Sequence, residues 1–249
     1  MTKFEKQKFV CLDCETTGLD PKEDRIIEIA CVSFDPSQLY DRFETLIDPE
    51  CEIPEVSIAI HHISQKMVAG QPKIHTVLPK VLEIIGSHII VGHGIQFDID
   101  VVANSCDRAR IPHSLRENQS LDTLRMARVY GESPINSLEQ LRKHFNIEAE
   151  IAHRAMSDVI VNIEVFKRLL IGYTNLDHLF KVLSKPILLK EMPLGKHKGR
   201  PFKGIPEQYL KWAAHQDFDQ DLLFSIRTEL KRRKQGNLFS QSANPFQDL

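Results

Sequence analysis

Two carboxylates lie near the end of a predicted buried strand, and their spacing is suited to holding a metal ion. Residues 9–12 form an apolar run without a turn former, and Gly18 and Pro21 follow as turn residues. Asp13 and Glu15 are two residues apart, so both side chains point to the same face of a pleated strand. Two like charges at so short a distance are costly to bury unless a cation binds between them. A hard divalent ion prefers such oxygen ligands. The strand alone leaves a second interpretation open, a pair of solvated acids at a fraying end.

Two more acids occur in comparable contexts. Asp98 follows a short apolar and glycine-containing segment, 91–97, and Asp158 stands just inside an apolar-periodic helical run, five residues after His153. Four carboxylates, with no Ser-His-Asp or Cys-His arrangement, indicate hydrolysis assisted by two divalent ions that clamp the attacking and leaving oxygens of a phosphoryl displacement. We expect Mg²⁺ or Mn²⁺, because ligands that are all oxygen do not favour zinc.

Taken together, these motifs resemble those of the DnaQ-like 3′–5′ exonucleases whose sites contain four acids and a histidine, a family that includes the proofreading subunit of bacterial replicative polymerases. The resemblance covers roughly residues 8–172 and extends to the connecting segments 122–124 and 136–138. One departure is Gly94, where the family usually has Asn. The matching positions are Asp13 and Glu15 in the first motif, Asp98 in the second, and His153 and Asp158 in the third.

The resemblance implies a ribonuclease H-like fold and 3′ to 5′ hydrolysis of single-stranded DNA ends, with release of nucleoside monophosphates. It implies that Asp13 bridges two ions, that Glu15 and Asp158 complete one site, and that Asp98 serves the other through waters. His153 is expected to act as the general base, since an unperturbed imidazole titrates near neutrality. The residues expected to contact the substrate are Thr16, Gly18, His62 and Phe97. For His62, packing is the alternative.

Hydrophobic periodicity predicts the elements that must position these side chains. A first strand is expected to begin at residue 9 and to form an antiparallel meander with strands at 24–34 and 42–47, and further strands are expected at 88–92 and 119–121. Helices are expected at 74–85, 97–108, 123–130, 137–145 and 155–170. This order predicts an α/β domain with a mixed five-stranded sheet flanked by helices.

Composition places the chain in the ordinary soluble class. No apolar run reaches the ~18 residues of a membrane span, and the N-terminus lacks the apolar core of a signal peptide, so a cytoplasmic location is expected. Five scattered cysteines argue against a disulfide framework. Cys11 and Cys14 form a C-x-x-C, but residues three apart in a strand point to opposite faces, which disfavours a zinc or redox site.

The balance of positive and negative residues differs between two parts of the chain. Residues 185–235 contain twelve Lys or Arg against six Asp or Glu, whereas residues 1–184 contain twenty against twenty-seven. We therefore predict a nuclease domain at 1–172, a connector at 173–190 and a small basic domain at 191–234. The aromatic residues of the small domain are expected to form its own core, and stacking of Trp212 on a base is the alternative. The last helix of the small domain is expected to end in the basic run 231–234, because cations interact favourably with the helix dipole at the C-terminus of a helix.

The tail, 235–249, is polar and predicted to be disordered. Its residues Gln235, Leu238 and Phe239 resemble the peptide with which bacterial replication proteins dock on the sliding clamp. The leading hypothesis is therefore a proofreading 3′–5′ DNA exonuclease that works with a replicative polymerase subunit and the clamp. The alternatives are a repair or RNA-trimming exonuclease on the same site and, from another class, an inactive replication adaptor.

Overall fold

The computed structural model describes residues 4, 7–131, 136–148 and 154–242. The chain divides into two compact units, Met1–Lys181 and Val182–Leu249. The division lies within the segment that the sequence assigns to a connector. Each unit has its own buried apolar cluster.

A mixed sheet of five strands forms the centre of the first unit, in the order β3-β2-β1-β4-β5. The first three strands are antiparallel neighbours, and β4 and β5 run parallel to β1. This confirms the predicted meander and the predicted mixed sheet, with strand ends that differ by up to three residues. The strands are β1 (Phe9–Thr16), β2 (Ile26–Phe34), β3 (Leu39–Leu46), β4 (Ile89–Gly92) and β5 (Ser120–Asp122).

Helices of the first unit flank the sheet. Within the described residues, the helices of the two units together are α1 (Glu55–His61), α2 (Gln65–Val68), α3 (Ile74–Ile85), α4 (Gln96–Ala109), α5 (Thr123–Tyr130), α6 (Leu138–His144), α7 (Ala155–Leu170), α8 (Leu176–Leu183), α9 (Glu207–Ala213) and α10 (Gln220–Ser242). No helix of the described ranges is long and apolar enough to cross a membrane.

Strand β1 is buried on both faces, and its alternation decides which layer each residue meets. Val10 and Leu12 point into the apolar cluster formed with α3 and α4. On the opposite face, Phe9 packs against Phe166 of α7, with ring centroids 5.1 Å apart. The same face carries Cys11, whose thiol lies 3.7 Å from the Val159 carbonyl oxygen of α7. Asp13 and Glu15 continue this alternation, so they face the beginning of α7.

The second unit differs from its prediction in three respects. Trp212 is not part of the apolar core, because 53% of its surface is exposed. Helix α10 does not end at the basic run but continues to Ser242, so the prediction of disorder is wrong for residues 235–242. Residues 220–242 contain no proline and a single glycine, Gly236, which does not stop the helix.

The basic run has a structural role that the helix dipole does not explain. Arg232 and Arg233 both pair with Glu229. Arg233 also donates to the carbonyl oxygens of Phe202 and Ile205, at 3.0 and 2.9 Å. These contacts tie α10 to the short turn at 202–205, because one guanidinium can serve several acceptors at once.

Candidate active site

Three carboxylates converge where β1 meets the first turn of α7. Single oxygen atoms of Asp13, Glu15 and Asp158 all lie within 4.8 Å of one another. Two of them come from one strand face and the third from a helix that begins more than 100 residues later in the chain. We call these three residues the carboxylate cluster.

Asp98 approaches the same strand from the other side of the sheet. It lies in the first turn of α4 and is buried, and its Oδ1 accepts a hydrogen bond of 2.9 Å from the backbone N–H of Cys14. Since Cys14 separates Asp13 from Glu15, this bond holds the fourth carboxylate beside the cluster. Asp98 does not belong to the set whose oxygens lie within 4.8 Å.

Burial and mutual repulsion raise the pKa values of Asp13, Glu15 and Asp98. Burial and the neighbouring Asp98, Asp158 and Glu15 charges raise the pKa of Asp13 well above its usual range. Burial, with the charge of Asp158, raises the pKa of Glu15 to about 7. Burial raises the pKa of Asp98 to about 8, although its bond from Cys14 opposes the shift. The site therefore favours a proton or a cation.

An acid that sequence reasoning missed lies next to the cluster. Glu28 of β2 is directly opposite Glu15 of β1 in the strand register and is fully buried. Its carboxylate accepts from Arg154 Nε and Nη2, at 3.0 and 2.6 Å, and from the Ala155 N–H at 3.0 Å. The pair anchors the first turn of α7, which carries Asp158. An acid inside the otherwise apolar strand 26–34 was the signal that it needed a partner.

A second group of missed residues supports the ends of β4 and β5. Asp122 accepts from the N–H groups of Gly94 and Leu124, at 2.9 and 2.8 Å, so it caps α5 and fixes the turn before α4. Gly94 adopts a positive φ of 75°. Both Gly and Asn tolerate this left-handed conformation, which explains how Gly can stand where the resembling family usually has Asn.

Next to this turn, a series of buried side-chain hydrogen bonds connects the end of β4 with β1. Thr123 Oγ1 lies 3.0 Å from His93 Nδ1 and donates to Asn162 Oδ1 at 2.6 Å. Asn162 Nδ2 in turn donates to Cys11 Sγ at 3.5 Å. Burial lowers the pKa of His93 to about 4, so this ring is neutral at physiological pH.

The four predicted substrate contacts differ in their surroundings. Thr16 is buried and donates to the Gly18 carbonyl oxygen at 2.6 Å. A Cβ at Gly18 would lie 2.5 Å from Asp24 Oδ2, so a larger residue there would displace the Asp24 carboxylate. Phe97 is half-buried against the core cluster beneath the sheet.

His62 is exposed and ends α1 in a left-handed conformation, with φ of 60°. The neighbouring His61 is buried instead, its Nδ1 accepts from the Ile63 N–H at 3.0 Å, and its Nε2 has no partner among the described residues. The two adjacent histidines therefore face different surroundings, and His62 is the one that a ligand can reach.

Two predicted groups remain, His153 and the peptide at 235–239. His153 lies outside the described residues, although Arg154 after it is described. Gln235 belongs to α10, and so does the backbone at positions 238 and 239, which contradicts the expected disordered tail.

The carboxylate cluster fits a hard divalent cation. Its donors are all oxygen atoms and lie within 4.8 Å of one another. Burial and repulsion raise the pKa values of Asp13 and Glu15, and a bound cation would offset both causes. Cys11 and Cys14 do not contribute, because the Cys11 thiol faces α7 and the Cys14 side chain packs against the opposite cluster.

Known proteins resemble both units. The family described as "Exonuclease" matches residues 10–166, and the family described as "Putative quorum-sensing-regulated virulence factor" matches residues 181–229. DNA polymerase III subunit epsilon of Aquifex aeolicus is 34% identical over 163 residues, which are 65% of this chain and 80% of that protein. DNA polymerase III PolC-type of Clostridium perfringens is 35% identical over 162 residues, but the matched region is only 11% of its length.

Among solved structures, exonuclease X in complex with 5′ overhanging duplex DNA has the same fold as the first unit. The TM-score is 0.56 at 24% identity, and the match covers 70% of this chain and 99% of that one. The predicted ribonuclease H-like fold is thus confirmed. With a family match over more than half of its length, and with acids gathered at the end of the first strand, the chain belongs to the exonuclease family.

Proposed function

We propose that the first unit hydrolyses single-stranded DNA from the 3′ end with the help of two divalent ions, Mg²⁺ or Mn²⁺. The observation that supports this most strongly is the convergence of Asp13, Glu15 and Asp158 within 4.8 Å. Asp98, held beside them by Cys14, supplies the fourth carboxylate. Family membership supports exonuclease chemistry.

In this proposal Asp13, Glu15 and Asp158, with Asp98 beside them, would hold the ions. When bound, divalent ions lower the pKa of a water molecule and stabilise charge on the phosphate. The protein supplies position: the β1 backbone sets Asp13 beside Glu15, and the Glu28–Arg154 pair keeps the start of α7 against them. His153 is proposed to take the proton of the attacking water. Thr16, Gly18, His62 and Phe97 are proposed to line the path of the terminal nucleotide.

The proposed biological role is proofreading during DNA replication. The names of the two relatives, a polymerase subunit and a polymerase, support this role. We further propose that a polymerase subunit binds the nuclease domain, 1–172, and that Gln235, Leu238 and Phe239 bind the sliding clamp. Such a tether raises the local enzyme concentration at primer ends without changing the active site. A replication role places the protein with the chromosome in the bacterial cytoplasm.

The decisive assay digests 5′-labelled single-stranded DNA, mismatched duplex DNA and RNA of the same sequence, each with Mg²⁺ and with excess chelator. We expect a ladder that shortens from the 3′ end, on DNA and only with the metal. Comparable rates on RNA would indicate an RNA-trimming enzyme instead, since the 2′-OH is the local difference. Digestion that survives exhaustive chelation, or none on any substrate, would overturn the proposal.

Clamp binding needs a separate measurement. The triple variant Gln235→Ala, Leu238→Ala, Phe239→Ala should lose affinity for the purified clamp while it digests free oligonucleotides at the parental rate. Equal clamp affinity of the parent and the triple variant would exclude this part of the proposal.

A further inference from the structure

The second unit displays cations on a tightly constrained turn. The turn, residues 192–200, is closed by Met192 N–H donating to the Arg200 carbonyl oxygen at 2.9 Å and Gly199 N–H donating to the Met192 carbonyl oxygen at 2.8 Å. Gly195 and Gly199 both have positive φ, at 71° and 76°, which glycine adopts without strain. The turn exposes the side chains of Lys196, Lys198 and Arg200.

An aromatic contact chain connects this turn to Trp212. His197, at the centre of the turn, is buried, and its ring lies edge-on to Tyr209 with centroids 4.5 Å apart. The Tyr209 ring is 5.3 Å from the ring of Trp212, one helical turn further along α9. Tyr209 therefore supports both the cationic turn and Trp212.

Trp212 is exposed although its unit has little apolar material to bury. The core of the unit contains Phe202, Ile205, Leu210 and Leu222, but more than half of the Trp212 surface faces solvent. Among the described residues, no acceptor binds its indole N–H. A large, rigid aromatic face that is left outside a small core is typical of a contact surface.

The turn cations are not neutralised within the described part of the unit. No carboxylate there lies within ion-pair distance of Lys196, Lys198 or Arg200, while Glu207 pairs with Lys211 and Glu229 with two arginines. The positive charge of the turn is thus available to an external anion.

We propose that the turn and Trp212 form a binding site for single-stranded nucleic acid. Lys196, Lys198 and Arg200 would contact successive phosphates, and an unstacked base would lie on the indole of Trp212. A duplex buries its base faces, so it can use only the cations. The proposal concerns binding alone and does not depend on hydrolysis by the first unit.

The chain contains a single tryptophan, so the fluorescence of the full-length protein reports directly on this site. We expect saturable quenching by a 3′-blocked oligothymidylate in excess chelator, with excitation selective for tryptophan. The triple variant Lys196→Ala, Lys198→Ala, Arg200→Ala should bind more weakly and should reduce the salt slope of log affinity by about 2, at ~0.7 for each phosphate contact.

A labelled oligonucleotide measures the contribution of the ring itself by anisotropy. Trp212→Ala should weaken binding roughly 10-fold and Trp212→Phe should recover part of it, because any aromatic face can stack on a base. Phe224→Ala, which removes another partly exposed aromatic residue, is the matched control and should bind like the parent. Thermal melting should show that all variants fold.

Three results would overturn the proposal. One is unchanged tryptophan fluorescence at saturating oligonucleotide, and another is equal affinity of the Trp212→Ala and Phe224→Ala variants. The third is quenching by blunt duplex DNA as strong as by the single strand, which would contradict base stacking. Each of these results leaves the nuclease assay unaffected, so the two proposals can fail separately.

Discussion

Glu15 and Glu28 lie directly opposite each other on neighbouring strands, but only Glu28 forms an ion pair with Arg154. Glu28 is fully buried and is held by the Arg154 guanidinium and the Ala155 N–H. Glu15 faces Asp13 and Asp158, and burial with the Asp158 charge raises its pKa to about 7. Glu28 stabilises the fold together with Arg154. Glu15 adds to a concentration of like charge, and a bound cation can relieve the repulsion.

Charge compensation separates structural acids from functional ones. A buried acid with a guanidinium partner is complete within the protein. Acids gathered without enough compensating charge cost stability, and proteins retain them where a ligand supplies that charge. The following predictions test this distinction, beginning with the largest expected effect.

Asp13→Asn should reduce metal-dependent exonuclease activity by roughly 10⁴-fold, because the central residue of the carboxylate cluster loses its charge. Steady-state hydrolysis of single-stranded DNA with Mg²⁺ measures this. Asp100→Asn is the matched control, since Asp100 is an acid of α4 that bonds only Gln96 in the described structure. A loss of less than 10-fold for Asp13→Asn would contradict the assignment.

Arg154→Leu should lower the free energy of unfolding by ~3 kcal/mol, because it leaves the Glu28 carboxylate buried without its cation. Urea unfolding provides the measurement, with Arg168→Leu at an exposed position of the same helix as control. The double variant Arg154→Leu, Glu28→Leu should be more stable than Arg154→Leu alone, because the buried charge is gone. Equal losses for Arg154→Leu and Arg168→Leu would show that the pair contributes nothing.

His93 shows the effect of burial without neighbouring carboxylates. Its pKa is lowered to about 4 in the folded protein by burial, with a smaller contribution from Arg128. An unfolded histidine takes up a proton near pH 6.5, so the folded state loses stability as the pH falls from about 6.5 to 4. We expect His93→Gln to remove ~2 kcal/mol of this pH dependence, allowing for partial exposure of the ring. His75→Gln, at an exposed site, should leave the unfolding profile unchanged.

Glu15→Gln should raise the free energy of unfolding of the metal-free protein by ~1 kcal/mol at pH 8. The sign follows from the raised pKa: above pH 7 the folded protein must keep Glu15 ionised beside Asp158, and below that pH a proton relieves the repulsion. Glu28→Gln should have the opposite sign, because it breaks the bond to Arg154. Thermal unfolding in chelator compares the two. Destabilisation by both variants would mean that Glu15 is also a structural acid.

Sequence reasoning was most successful where the physical cause is local. The strand period alone put Asp13 and Glu15 on one face, and the 3.6-residue period predicted the helices 74–85, 123–130 and 155–170 with the bounds that the structure shows. It failed at α10, where the polar tail was read as disordered although nothing in residues 235–242 breaks a helix. It also put Trp212 in a core, because aromatic residues in a small unit are usually buried.

By itself, the sequence determined the acids, their spacing and the period of the elements that carry them, because these depend on neighbours along the chain. Only the tertiary structure decided which acid is neutralised. Glu28 meets Arg154 across 126 positions, and Asp98 bonds Cys14 across 84. Burial and charge compensation depend on what packs opposite each side chain in three dimensions, and no local pattern records this.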